Sequence, residues 1–131
     1  MVKLTPEQRA LVEGKNLAHV ATLMKDGSPQ VTPVWVTCDD EYILINTAEG
    51  RQKPRNIERD PRIALSIADA ENPYKYIQVR GRVVEVTHDG AWDLINELAR
   101  KYQGPDTKYP ERPGEVRITV KIAPEHISGR I

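Results

Sequence analysis

Phenylalanine is missing from this chain of 131 residues, and its aromatic side chains are limited to Trp35, Trp92 and five tyrosines. The core must therefore rest on Val, Ile, Leu and Ala, and β-branched side chains of this kind favour sheets. Cysteine is reduced to Cys38, so no intrachain disulfide can form, which fits a reducing compartment. Excess charge is absent too: 19 basic residues balance 19 acidic ones, and the pI is near 6.8. A protein that coats a polyanion is normally basic overall, so the expected partner is a small molecule and not nucleic acid. No window approaches the ~20 apolar residues of a helical membrane span. The opening Met1 to Glu7 has no apolar run of the signal-peptide type. The expectation is one cytoplasmic domain over residues 1–131, with no membrane association.

Several common chemistries lack their residues. No G-x-G-x-x-G follows a strand and no G-K-[ST] occurs, so the usual dinucleotide and nucleoside triphosphate sites are missing. His19, His88 and His126 are dispersed, and H-x-H, H-E-x-x-H and C-x-x-C are absent, so no metal site is expected. No serine sits in a nucleophile elbow. Cys38 adjoins Asp39 and Asp40, whose charges would suppress its thiolate. No catalytic residue is assigned. An enzyme built on this sequence would need a bound cofactor to carry the chemistry.

What is present is a concentration of positive charge. From Arg51 to Arg62 the chain carries five cations (Arg51, Lys53, Arg55, Arg59 and Arg62) against Glu58 and Asp60. Pro54 suits a first helical position and Pro61 stops the helix. Free backbone N–H groups near Lys53 to Asn56, the helix dipole and the guanidiniums together favour a phosphate or carboxylate. The other reading is a solvated basic helix whose cations pair with Glu49, Glu58 and Asp60.

Around this turn the pattern is mostly strand. Thr5-Pro-Glu-Gln8 is a capping box that predicts a helix from Pro6 to Glu13, ending at Gly14. Leu17 to Met24 and Gln30 to Thr37 read as a hairpin about Lys25 to Ser28, followed by a strand over Tyr42 to Thr47. Ile63 to Ala68 alternates large and small residues, and Tyr76 to Val86 is a long strand with Gly81 as a bulge or bend. Thr87 to Tyr102 has helical apolar spacing that must cover the sheet, and Gly104-Pro105 terminates it. A Pro-rich loop over Gln103 to Gly114 leads to a last strand over Val116 to Ile122, with an extended tail after Pro124. Six hairpin-linked strands with three short helices and no βαβ alternation indicate a mainly β, α+β fold, an antiparallel barrel with helical covers.

The segments P-Q-V-T-P-V-W-V (Pro29 to Val36), I-N-T-A-E-G-R-Q-K-P-R-N-I-E-R-D-P-R (Ile45 to Arg62) and N-P-Y-K-Y-I-Q-V-R-G (Asn72 to Gly81) carry a resemblance. From Leu17 to Ile127 the chain resembles the FMN-binding split β-barrel proteins of the pyridoxamine 5'-phosphate oxidase-like group, in particular the branch that uses the deazaflavin coenzyme F420. The resemblance implies a homodimer with cofactor sites at the subunit interface. It implies that cofactor phosphate meets Arg51, Lys53 and Arg55, with Asn56 nearby. Thr32, Pro33, Val34 and Trp35, together with Ile45, Asn46 and Thr47, would line the ring and ribityl portion, and Asn72, Tyr74, Tyr76 and Arg80 would come from the neighbouring subunit. The implied activity is hydride transfer from reduced F420 to a conjugated, electron-poor acceptor such as a quinone, an enone or a tetrapyrrole. The alternatives are an FMN-dependent oxidoreductase of the same fold and a non-catalytic carrier of F420 or flavin.

Overall fold

The computed structural model describes residues 1–131. Helix α1, Pro6–Glu13, starts on the reciprocal capping box: Gln8 N–H donates to Thr5 Oγ1 at 3.2 Å, and Thr5 N–H donates to Gln8 Oε1 at 2.9 Å. The strands are β1 Ala18–Leu23, β2 Pro29–Val34, β3 Thr37–Cys38, β4 Ile43–Ala48, β5 Arg62–Ala68, β6 Tyr76–Thr87 and β7 Arg117–Arg130. The remaining helices are α2 Gln52–Arg59 and α3 Ala91–Gln103. All pairings are antiparallel, and they form one sheet in the order β2-β1-β5-β6-β7-β4-β3. Val20, Ile45, Ile67, Val79, Val120 and Ile122 come from five different strands yet share one buried cluster. A sheet whose strands bury one face against each other in this way must curl around its own core, as a barrel does.

The barrel predicted from the sequence is present, with seven strands where six were expected. The extra strand arises because the segment Gln30 to Thr37 is broken after Val34. Helix α3 captures the backbone at the break: Val36 N–H donates to the Tyr102 hydroxyl at 3.1 Å, and Val36 C=O accepts from the Tyr102 hydroxyl and from Lys101 Nζ. Tyr102 also donates to Asn16 C=O at 2.6 Å, which ties the helix to the entry of β1. Burial pushes the Lys101 ammonium down to about 8. The Cys38 thiol is pushed up, as the sequence suggested, but burial is the main cause, with Glu13 adding to it.

Two boundaries also move. Thr87 stays in the ladder opposite Thr119, so α3 begins only at Ala91, after Gly90 has turned the chain through a left-handed conformation at φ 69°. The tail after Pro124 is part of β7, where Ile127 to Arg130 pair with Tyr76 to Val79. Gly81 is the expected bulge, since the register of β6 against β7 shifts between Arg80 and Gly81. A Cβ at that position would sit 2.4 Å from the Ala123 carbonyl oxygen. Gly81→Ala should therefore destabilise the fold by about 1–3 kcal/mol, the usual range for an overpacked site. Urea unfolding measures this, and an unchanged midpoint would contradict the steric account.

Candidate functional site

The curled sheet does not close. β2 pairs only with β1, and β3 covers only Ile43 and Leu44 of β4, so β2 and the stretch Ile45 to Ala48 present edges with no strand partner. Such edges carry backbone donors and acceptors that must find other partners. The sequence motifs singled out above lie on these two edges and on the turn that leaves β4.

Helix α2 is fixed against the β1–β2 hairpin by Asn56, which is fully buried. Its Nδ2 donates to Thr22 Oγ1 at 3.0 Å and to Gln30 Oε1 at 3.4 Å, while its Oδ1 accepts from Gln52 Nε2 at 2.8 Å and Arg59 Nη2 at 3.0 Å. The hydrogen-bonding capacity of Asn56 is thus spent inside the chain, and its place is that of a pin for the helix.

Ahead of that pin stand Arg51, the N-cap, and Lys53 in the first turn. Of the nearby carboxylates, Asp60 pairs with Arg62 at 2.7 Å and Glu49 with His88 at 2.5 Å, while Glu58 is exposed and forms no ion pair. Neither Arg51 nor Lys53 takes part in an ion pair. The Lys53 ammonium is pushed below its ordinary value, first by burial and then by Arg51. Two adjacent cations at a helix N-terminus, one exposed and one half-buried, carry no internal counter-ion, an arrangement suited to an anion. The internal pairing of the other reading is not found for Arg51 and Lys53. Arg55 lies apart, on the rim of a cavity of about 540 Å³ between α2 and the β6–β7 ladder, with Val84, Val86, Ile118 and Val120 among its walls.

The ring residues divide by strand geometry. Thr32 lies on the same face of β2 as Gln30, and its Oγ1 is buried without a hydrogen-bond partner. A buried hydroxyl in that condition is unusual, and being closed to solvent it is not open to a ligand. The unpaired cations and the open edge of β4 are what the residues present offer a phosphorylated polyol. Ile45 and Thr47 are buried on the barrel-facing side of β4, so what they offer outward is backbone. Pro33, Val34, Trp35 and Asn46 meet in a cavity of about 360 Å³ whose other wall is α3 and the Pro-rich loop.

Sequence reasoning missed that second wall. Trp35 stacks on Tyr102 with ring centres 5.4 Å apart and planes 6° apart, and Tyr109 meets Trp35 edge-on at 6.3 Å. Arg117, 3% exposed, completes the wall. In the sequence Val116, Ile118, Val120 and Ile122 alternate with Arg117, Thr119 and Lys121, a pattern that puts Arg117 on the polar face. The available signal was the apolar stripe of α3, which has to cover some face of the sheet and buries whatever lies beneath it.

Asn72, Tyr74, Tyr76 and Arg80 are not brought into this cavity. Asn72 and Tyr74 sit in an exposed loop closed by Asp69 N–H donating to Lys75 C=O at 2.9 Å. Arg80 lies with Arg62 and His126 on another face, beside β1 and β5.

Comparison with known proteins agrees with this architecture. The profile of the family described as pyridoxamine 5'-phosphate oxidase matches residues 4–129. An F420H(2)-dependent biliverdin reductase of Mycobacterium tuberculosis (strain CDC 1551 / Oshkosh) is 27% identical over 130 residues, covering 97% of this chain and 88% of that protein. A solved structure of an F420 reductase is 33% identical, with a TM-score of 0.84 over 95% of this chain and 98% of that one. A FAD-binding protein of Mesorhizobium loti shares the fold, with 18% identity and a TM-score of 0.65 over 96% of this chain and 94% of that one.

The geometry predicts a phosphate effect with a defined pH dependence. The charged form of Lys53 is the one that holds an anion, and its folded-state pKa lies below 10.5. Stabilisation of the fold by inorganic phosphate should be fully present below that lowered pKa and diminish as pH rises through it. Thermal melts with and without phosphate from pH 8 upward test this, and an undiminished phosphate shift in Lys53→Ala would contradict it.

Proposed function

Because the chain belongs to the pyridoxamine 5'-phosphate oxidase family, we propose that it is an F420H2-dependent reductase acting on a conjugated, electron-poor organic acceptor such as a quinone, an enone or a tetrapyrrole. The observation that carries this reading is the counter-ion-free pair Arg51 and Lys53 beside two open sheet edges. Similarity to an F420 reductase and to an F420H(2)-dependent biliverdin reductase supports the choice of cofactor. When bound, the reduced deazaflavin supplies a hydride from C5.

The protein's own part is to bind, orient and exclude water. Arg51 and Lys53 hold the phosphate, and the outer edge of β4 holds the polyol. Trp35 and Pro33 provide a flat apolar surface for a ring, and Asn46 is fixed against α3 by donating to Ala91 C=O at 2.8 Å. The rate then comes from placing donor and acceptor in register on a rigid frame. No side chain is assigned as an obligatory proton donor.

In this reading the chain works in the cytoplasm as a homodimer, with Asn72, Tyr74, Tyr76 and Arg80 completing the neighbour's site. Leu17 and Val31, exposed at 44% and 62% beside β2, suit a protein partner. An FMN-dependent oxidoreductase is the second reading, because both cofactors present a ribityl phosphate to the same turn, differing beyond it, and a FAD-binding protein shares this fold.

Parallel fluorescence titrations of the apoprotein with oxidised F420 and FMN, at low and high salt, test the proposal. Salt-sensitive binding of F420 with much weaker binding of FMN is expected. Each charge-assisted phosphate contact contributes about 1.5–3 kcal/mol, so Lys53→Ala should weaken F420 roughly tenfold or more. Preference for FMN would favour the second reading, and binding of neither would refute both.

A further inference from the structure

Arg117 is buried under α3 and uses only part of its donor set within the chain. Its Nε donates to Asn46 Oδ1 at 2.9 Å and its Nη1 to Glu115 Oε1 at 2.9 Å. Asn46 is itself oriented, since its Nδ2 donates to Ala91 C=O, so its oxygen is held toward the guanidinium. Tyr109 lies 5.1 Å from the guanidinium carbon, ring centre to Cζ, and is anchored by its N–H donating to Asn96 Oδ1 at 2.7 Å. These contacts fix the plane of the guanidinium from three sides. Nη2 makes no hydrogen bond in the chain, yet it is not sealed away, because the only sealed side-chain polar atom without a partner is Thr32 Oγ1. Arg117 lines the cavity of Trp35 and Asn46, and Nη2 is the donor it has left to offer there.

We propose that Arg117 is a recognition residue whose Nη2 donates to a carbonyl oxygen of a flat, conjugated ring in this cavity. The walls select the flat shape: Trp35 is held parallel to Tyr102, whose hydroxyl is fixed at both Asn16 and Val36. The charge balance selects the functional group. The Glu115 side chain is 9% exposed and already neutralises Arg117, so the cavity offers a strong directional donor without a net positive charge. An uncharged carbonyl oxygen fits that offer, and a carboxylate would bring an excess negative charge into a poorly solvated site. The same donor would stabilise negative charge collecting on that oxygen when the ring system is reduced, as preorganised donors do elsewhere. In linking the cavity to reduction chemistry the proposal rests on the reductase reading. The recognition itself does not.

The carbonyl could belong to the cofactor ring or to the acceptor, and one set of titrations separates them. Quenching of tryptophan fluorescence by coumarin, naphthalene and 1-naphthoate reports on the cavity without any cofactor. Coumarin should bind about tenfold more tightly than naphthalene, the value of one hydrogen bond to a charged donor, and more tightly than 1-naphthoate. Arg117→Lys, which keeps the charge but loses the fixed fork, should abolish the preference for coumarin. Glu115→Gln leaves Nη2 in place and removes the balancing charge, so it should shift preference toward 1-naphthoate.

Equal binding of coumarin and naphthalene by the unaltered protein would overturn the proposal, as would an unchanged preference in a folded Arg117→Lys variant. If that variant does not fold, the unaltered protein and Glu115→Gln still decide. Repeating the F420 titration with Arg117→Lys identifies the source of the carbonyl. Weaker F420 binding assigns it to the cofactor ring, and loss of coumarin binding alone assigns it to the acceptor. Selective coumarin binding by a protein that binds neither F420 nor FMN would refute the reductase reading while leaving this recognition intact.

Discussion

An antiparallel sheet that curls but does not close leaves two edges, and the rest of this molecule is arranged around them. The edge of β2 and the outer edge of β4 beyond β3 carry backbone groups that no other strand satisfies. Exposed edges of this kind invite pairing with another chain unless something blunts or occupies them. Here Pro29 and Pro33 remove donors from β2, and α3 and its loop close over the far side. What remains is a lined cleft. The chain leaves β4 into a basic helix N-terminus, and the aromatic wall of α3 lines the cavity beside Asn46.

The charge arrangement follows the same economy. Two of the acidic residues near the basic turn are committed, Asp60 to Arg62 and Glu49 to His88, and Glu58 on α2 forms no ion pair. Arg51 and Lys53 are left without an ion-pair partner, and the charge of Arg51 disfavours that of Lys53, a cost that a bound phosphate would relieve. At the aromatic end the opposite solution holds, with Arg117 neutralised by Glu115 and oriented by Asn46. In the proposed reading the basic turn takes an anion and the Arg117 cavity an uncharged polar ring.

Much of this was legible in the sequence because it depends on local signals. The Thr5 capping box, the β1–β2 hairpin and the Gly81 bulge each announce themselves within a few residues and are found where expected, while the basic helix starts at Gln52, two residues before Pro54, which was expected at its first position. What was not legible depends on contacts far apart in the chain. β2 stops at Val34 because Tyr102, 66 residues away, takes the Val36 backbone. Arg117 is buried because α3 lies over its face of β7, although alternation alone marks it as solvated. Asn56 looked like a ligand contact beside Lys53 and proves to be the pin that holds α2. Arg55 shares the motif with Arg51 and Lys53, but the helical turn directs it to another cavity.

The central claim is that Arg51 and Lys53 form a cation pair lacking its counter-ion. The most direct test is the pKa of Lys53 itself, followed by NMR of its side-chain carbon in the free protein and with F420 bound. The account predicts a value below that of an ordinary lysine in the free protein and a return toward or above it when the phosphate binds. An ordinary pKa that does not move on binding would contradict it.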